Sequence, residues 1–156
     1  EEGKGFHQVA GGLELGRINI AARGAGMAKG ATNMALHYAM DRKTFGKPIA
    51  EHQAIQLKLA EMSTRAAAAE LLVHQAADKF DRQERCDLEA GQAKFFASEA
   101  AVQNSLDAMR VFGGYSYSPE YEIERFYRDA PLLCIGEGTN EIQRMIIAKQ
   151  MVARAS

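Results

Sequence analysis

Apolar residues recur every three or four positions along most of this chain, which is the spacing of α-helices with one buried face. The glycine-bearing start, residues 1–12, is predicted to be irregular, and Pro131 is predicted to close the fourth helix. Three long helices and a shorter fourth predict an all-α fold, an antiparallel four-helix bundle. Five helices are predicted in total, over about residues 13–40, 52–82, 87–111, 120–129 and 140–154. The last of them has a predicted buried face at Ile142, Met145, Ile146 and Val152.

The first predicted helix is crowded with small residues, among them Gly24, Gly26 and Gly30. Each of these glycines lowers helix propensity by about 1 kcal/mol relative to alanine. Close approach of a neighbouring helix would offset that cost. The sequence therefore predicts that this helix lies at the centre of the bundle.

Length and composition restrict the class of protein. With 156 residues, 47% hydrophobic and 25% charged, the chain is long enough for one domain with a core, which we place over residues 1–156. A net charge of -1 offers no basic surface, so nucleic-acid binding is not expected. Cys86 and Cys134 lack partners at metal-ligand spacing, which favours a reducing compartment and no metal site. No membrane span or signal peptide is predicted, and residues 1–6 resemble an interior stretch of a longer protein.

A single carboxylate, Glu137, stands between Gly136 and Gly138 just before the last predicted helix. Asn140 and Gln143 have the spacing of a capping box, so the glycines are predicted to form a short loop at the mouth of that helix. Flanking glycines leave the carboxylate accessible, as a base that must reach a bound substrate requires. The competing interpretation is that an acid at this position only complements the helix dipole.

The connection between the first two helices, residues 41–53, is polar. Its chemically useful side chains are the cations Arg42, Lys43 and Lys47, the hydroxyl of Thr44, the ring of Phe45, and the donors His52 and Gln53. Such a set is suited to the phosphates and the adenine of a nucleotide. The alternative is that the basic residues only cap the C-terminal end of the first helix.

Five short motifs occur in a fixed order: RKTFGK at 42–47, EHQ at 51–53, FGG at 112–114, RD at 128–129 and EGTNEIQR at 137–144. In this order and at these distances they resemble the C-terminal helical domain of the acyl-CoA dehydrogenases, over nearly the whole chain. The resemblance implies a flavoenzyme that binds FAD and oxidises an acyl-CoA thioester to the 2,3-enoyl-CoA. It favours the functional interpretation of both the Glu137 loop and the connection at 41–53.

The same resemblance assigns roles to individual residues. Glu137 would be the base that removes the α-proton, while the β-hydrogen leaves as hydride to the flavin. Substrate contacts are implied for Glu14, Arg17, Gly136 and Gly138. Contacts to FAD, largely that of a neighbouring subunit, are implied for Arg42, Thr44, Phe45, His52, Gln53, Arg110, Gly113 and Gly114. Thr139 and Glu141 would contact FAD near the base.

The chain departs from the family pattern at three positions. Gly136 stands where many members have tyrosine, which leaves room for a branched, carboxylated or otherwise bulky acyl group. Arg110 replaces a usual glutamine, and Ser116 replaces a usual glycine. Both lie around the glycine pair that the resemblance assigns to FAD.

The resemblance covers only the last domain of the family. We therefore expect a C-terminal fragment of a longer flavoenzyme, inactive by itself and located in a bacterial cytoplasm or a mitochondrial matrix. The expected partners are an acyl-CoA substrate, further copies of the chain in a homodimer or homotetramer, and an electron-transfer flavoprotein as electron acceptor. The alternatives are an acyl-CoA oxidase and a helical self-association module with a vestigial site.

Overall fold

The computed structural model describes Gly3 and residues 5–155, and gives the backbone alone for residues 6–12. The elements follow in the order α1 (Gly5–Asp41), β1 (Lys43–Thr44), β2 (Lys47–Pro48), a 3-10 helix (Ile49–Glu51), α2 (Gln53–Asp81), α3 (Asp87–Phe112), a second 3-10 helix (Gly113–Tyr117), α4 (Ile123–Ile135) and α5 (Asn140–Ala155). The predicted all-α bundle is confirmed. Helices α1, α2 and α3 pack against one another, α4 packs against α1 and α3, and α5 packs against α3.

In the described part of the chain, no helix is both long and apolar enough to cross a membrane.

Helix α1 packs closely on α2, α3 and α4, as its small residues predict, but the central helix is α3, against which all the other helices pack. Close approach is confirmed at Gly24, where an added Cβ would lie 2.7 Å from the carbonyl oxygen of Ala97 in α3. It is also confirmed at Gly30, where an added Cβ would lie 2.9 Å from the ring of Phe126 in α4. The prediction is wrong for Gly26, which is exposed and whose added Cβ would meet no described atom within 4 Å. The buried side of α1 consists largely of Ala21, Ala25, Ala28, Ala31, Ala35 and Ala39.

One buried side chain ties the three long helices together. The Asn104 amide in α3 donates to the carbonyl oxygen of Ala28 in α1 (3.1 Å) and to that of Met62 in α2 (2.8 Å). Its own oxygen accepts from Nε of Arg65 (2.8 Å). Asn104 has no exposed surface, so these bonds form away from water and fix the relative heights of the helices.

Two predicted helix ends are wrong. Helix α1 begins at Gly5 rather than Leu13, because extending a helix that is already nucleated gains one hydrogen bond per residue, which offsets the cost of its glycines. Residues 1, 2 and 4 of the predicted irregular start lie outside the described residues. Helix α4 runs through Pro131 to Ile135. Pro131 is exposed, so water can serve the carbonyl that the proline ring leaves without a donor.

The predicted buried face of α5 is also wrong. Ile142, Met145 and Val152 are 49%, 72% and 70% exposed. The residues of α5 that are buried are Asn140 and Gln143. The helix thus packs on α3 through these polar side chains and through half-buried Ile147, which lies against Gly91, and the predicted apolar face contained none of the three.

Candidate active-site loop and dinucleotide surface

Glu137 lies on a four-residue loop between α4 and α5, residues 136–139. Its backbone is left-handed (φ 55°), and Gly138 is left-handed as well (φ 88°). Side chains other than glycine rarely adopt that conformation, so the surrounding structure must hold Glu137 in it. The Glu137 side chain is exposed.

The carboxylate of Glu137 rests on Gly16 of α1. A Cβ added at Gly16 would lie 2.5 Å from Oε2 of Glu137 and 2.8 Å from its Cδ. The carboxylate therefore fits here only because residue 16 is glycine and has no Cβ. Sequence reasoning missed Gly16, because its partner follows 121 positions later and no local pattern connects the two.

The two positions beside Glu137 differ in how strongly the structure requires glycine there. At Gly138 a Cβ would meet Nε2 of Gln143 at 2.9 Å, and the left-handed backbone also disfavours a side chain. Gly136 has an ordinary backbone (φ -61°, ψ 150°), and its nearest described atom is 3.5 Å from an added Cβ. Neither conformation nor crowding thus requires glycine at 136, where an added Cβ would make only ordinary van der Waals contacts with Leu132 and Ile20.

The predicted capping box is wrong in its residues. The amide of Ile142 donates to Oγ1 of Thr139 (3.5 Å), so Thr139 is the residue that caps α5. Gln143 instead donates from Nε2 to the backbone oxygens of Glu137 (3.2 Å) and Gly138 (3.1 Å). The Asn140 side chain is turned into the bundle, where it bonds to α3. Glu141 is exposed on the first turn of α5, next to Thr139.

The two substrate-contact candidates on α1 face the start of α3. Arg17 is 8% exposed; its Nη1 lies 3.9 Å from Oδ1 of Asp87, and its Nε has no partner among the described residues. The Cys86 thiol donates to Oε2 of Glu14 (3.6 Å). Burial, aided by a hydrogen bond and repulsion from Asp87, raises the pKa of Glu14. Burial also raises the pKa of the Cys86 thiol to about 11, so it is protonated at neutral pH.

The other candidates lie at the far end of α1, on a hairpin that the sequence did not predict. Lys43 pairs with Pro48 and Thr44 with Lys47, and both turn residues, Phe45 and Gly46, are left-handed (φ 52° and 82°). The Phe45 ring is 97% exposed. Oγ1 of Thr44 lies 3.0 Å from Nε2 of His52, which fixes the hairpin against the start of α2, where Gln53 is exposed.

Next to this hairpin is an open depression of about 510 Å³. The guanidinium of Arg42 lies 5.7 Å from the centre of the Tyr115 ring, and an added Cβ at Gly113 or Gly114 would meet no described atom within 4 Å. Arg110 is exposed nearby and pairs with Asp107 (3.1 Å). The depression is lined by Tyr38, Arg42, Thr44, Ile49, Val111, Phe112, Gly113, Gly114 and Tyr115.

The structure thus separates the predicted site residues into two groups. One group surrounds Glu137 and the first turns of the described part of α1, and the other surrounds the hairpin and the glycine pair. Asp41 follows Arg17 by 24 positions on one continuous helix, which is a rise of about 36 Å at 1.5 Å per position. The groups are therefore at opposite ends of the bundle.

Comparison with known proteins shows which family has this loop, this hairpin and this helical bundle. Residues 3–152 match the sequence model described as "Acyl-CoA dehydrogenase, C-terminal domain", so the chain belongs to the acyl-CoA dehydrogenase family. Among curated relatives, an acyl-CoA dehydrogenase of Bacillus subtilis is 51% identical over 97% of this chain and 40% of its own length. The caffeyl-CoA reductase-Etf complex subunit CarC of Acetobacterium woodii is 41% identical over 99% of this chain and 41% of its own length.

The fold of this chain is also similar to that of a solved acyl-CoA dehydrogenase structure. Butyryl-CoA dehydrogenase from Megasphaera elsdenii superposes with a TM-score of 0.96 at 41% identity, over 97% of this chain and 40% of that one. The present chain thus spans about 40% of the length of the relatives it matches.

Proposed function

We propose that this chain is the C-terminal domain of a longer FAD-dependent acyl-CoA dehydrogenase in which Glu137 is the base that removes the α-proton of an acyl-CoA thioester. The observation that supports this most directly is the carboxylate itself, which is exposed on a short loop between two glycines and held against Gly16. An α-proton of a thioester is only weakly acidic, so the base must be held within hydrogen-bond reach of it. A carboxylate on a loop whose backbone is held by Gln143, with glycine on either side, can be placed in that way.

The residues present fit a flavin dinucleotide. Bare backbone at Gly113 and Gly114, the cation Arg42, and the exposed ring of Phe45 supply close approach, charge and a stacking surface. FAD, when bound, would accept the β-hydrogen of the substrate as hydride. The residues that would hold it are Arg42, Thr44, Phe45, His52, Gln53, Arg110, Gly113 and Gly114 at one end, and Thr139 and Glu141 at the other.

The separation of these groups supports an oligomer. Because they lie at opposite ends of α1, one copy of this chain cannot place all of them on one nucleotide. A second subunit would bring its hairpin and glycine pair to the flavin beside the first subunit's Glu137. The exposed apolar side chains of α5, among them Met145, give such an assembly surface to bury.

Gly136 points to the substrate class. A glycine next to the base that neither its backbone conformation nor crowding requires favours an acyl group with bulk near the reacting carbons. A relative whose name refers to a caffeyl-CoA, which bears an aromatic ring, is consistent with such a group, and its Etf complex supports an electron-transfer flavoprotein as redox partner. Gly136→Tyr in the full-length protein should lower kcat/KM for ring-bearing acyl-CoA more than for straight-chain acyl-CoA. An equal loss for both would refute the assignment of the Gly136 position to the acyl group.

The base is tested by Glu137→Gln in the full-length flavoenzyme. The variant should keep its bound flavin and lose reduction of that flavin by acyl-CoA, because the amide cannot accept the α-proton. Glu122→Gln, at an exposed residue paired with Arg125, is the matched control and should reduce normally. Unimpaired reduction in the Glu137 variant would refute the proposal.

The chain by itself is proposed to lack turnover, because most of the length of its relatives is missing from it. Acyl-CoA oxidation by the purified 156-residue chain supplied with FAD would contradict this. A module that serves self-association alone would differ in another respect. In the full-length protein it would show no change of melting temperature with FAD.

A further inference from the structure

The loop that holds Glu137 is anchored at both ends by one buried ammonium group. Lys94 of α3 has no exposed surface, and its Nζ donates to the backbone oxygen of Cys134 (3.0 Å) and to Oδ1 of Asn140 (2.8 Å). Cys134 lies in the last turn of α4, and Asn140 is the first residue of α5. The two ends of the loop therefore meet at a single nitrogen atom.

Asn140 connects this ammonium to a carboxylate. Its Nδ2 donates to Oε1 of Glu99 (2.8 Å) and to Oγ of Ser98 (3.0 Å). These partners define the orientation of the amide, with its oxygen towards Lys94 and its nitrogen towards Glu99. Opposite charges on one helix are thus joined through the first residue of α5, which restricts where α5 can begin.

Burying this ammonium group is costly. Removal of the charge from water disfavours the charged form, and this desolvation lowers the pKa of Lys94. The carboxylates of Glu99 and Glu141 and the negative end of the α4 dipole favour its charged form. Apolar residues often replace a buried charge with little loss of stability. What an apolar side chain cannot supply is the pair of hydrogen bonds that holds the loop ends together.

The loop needs such support because its backbone is strained. Residues other than glycine rarely adopt a left-handed backbone, because their Cβ crowds the following carbonyl oxygen, and Glu137 adopts it (φ 55°). From inside the bundle, Gln143 holds the two carbonyl oxygens of this strained segment. Lys94 fixes the ends, and Gly16 receives the carboxylate on the outer side.

We propose that Lys94 is a positioning residue for the Glu137 base, acting by binding both ends of the loop through the Cys134 carbonyl and the Asn140 amide. The inference rests on the function proposed for Glu137. Lys94 acts through the loop and transfers no proton itself.

The test uses the flavin-loaded full-length protein with Lys94→Met, which removes the ammonium and keeps a long apolar side chain, and with Asn140→Leu, which removes the other half of the anchor. The rate constant for flavin reduction by acyl-CoA, expressed per bound FAD, is expected to fall about fivefold to 100-fold in each, since displacement by about 1 Å can cost about 100-fold. The half-saturating acyl-CoA concentration should stay within about threefold, because uniform substrate binding is not what is removed. The double variant should be no slower than the slower single variant, because both changes act on one loop.

Lys79→Met is the matched control. It removes an ammonium that donates to the buried carboxylate of Glu89 (2.7 Å), away from the loop. It should lower the melting temperature and keep the parent rate per bound FAD. If Lys94 only stabilised the fold, Lys94→Met would behave in the same way.

The proposal is overturned if the variants that retain FAD lose less than about fivefold in rate, well below the expected cost of misplacing the base. It is equally overturned if both variants lose FAD, because a positioning role leaves the flavin bound. Glu137→Gln, measured in the same series, separates the two proposals. If Glu137→Gln still reduces its flavin at the parent rate, the proposed base is refuted. If Glu137→Gln loses flavin reduction while Lys94→Met reduces its flavin at the parent rate, only the role of Lys94 is refuted.

Discussion

The contact between Gly16 and Glu137 predicts a variant in which activity and stability change in opposite directions. An alanine Cβ at 16 would lie 2.5 Å from Oε2 of Glu137, whereas ordinary contacts begin at 3.4 Å. The carboxylate must therefore move by about 0.9 Å or more. Because it is the free end of a flexible side chain, the movement costs little folding energy, and exchanging glycine for alanine within a helix stabilises by about 0.5–1 kcal/mol.

With Glu137 in its proposed role as the base, a displacement of about 1 Å is expected to lower the rate of α-proton removal by about 100-fold. The assay is anaerobic rapid mixing of the flavin-loaded full-length Gly16→Ala protein with saturating acyl-CoA, followed by flavin absorbance, together with its melting temperature. Gly26→Ala is the matched control, since it lies on the same helix in open space. Gly26→Ala should be stabilised by a similar amount and should reduce its flavin at the parent rate. A Gly16→Ala protein that melts higher and reduces its flavin as fast as the parent would refute the reasoning.

Three further predictions concern folding free energies of the chain, each measured by denaturant unfolding. Gly24→Ala should destabilise by about 1–3 kcal/mol, because its Cβ would meet the unyielding backbone of Ala97, and unchanged stability would contradict the close helix contact. Asn104→Leu should cost about 2–4 kcal/mol, since it removes the buried hydrogen bonds from α3 to α1 and α2 and leaves Nε of Arg65 without its acceptor; a loss below about 1 kcal/mol would show that these bonds add little to stability. Hydrogen bonds from Arg154, with Lys79, lower the pKa of Glu89 from 4.5 to about 2, so its contribution is complete above about pH 4.5 and is lost as the pH falls towards 2. The stability difference between the parent and Glu89→Gln should shrink by about 3 kcal/mol over that range, and a difference independent of pH would refute it.

Most helices were predictable because their signals are local. Apolar spacing located the long helices to within a few residues at most of their ends, and the glycine pair at 113–114 marked the end of α3. Local signals gave wrong predictions where contacts with another helix determine the cap and the buried face of α5. Thr139 rather than Asn140 caps α5, because the Asn140 side chain is hydrogen-bonded to α3 instead. Gln143 is buried although it is polar, because its amide donates to the backbone of the strained loop.

The sequence by itself determined the all-α class, the close packing of α1 at Gly24 and Gly30 and, through motifs that resemble a known family, the candidate residues Glu137 and Arg42. Those properties depend on residue type and on spacing along the chain. Only the tertiary structure decided that Gly16 seats the carboxylate of Glu137, that Lys94 joins the ends of its loop, and that the two groups of site residues lie at opposite ends of α1. The physical reason is distance in sequence. These contacts join residues dozens of positions apart, and packing alone brings them together.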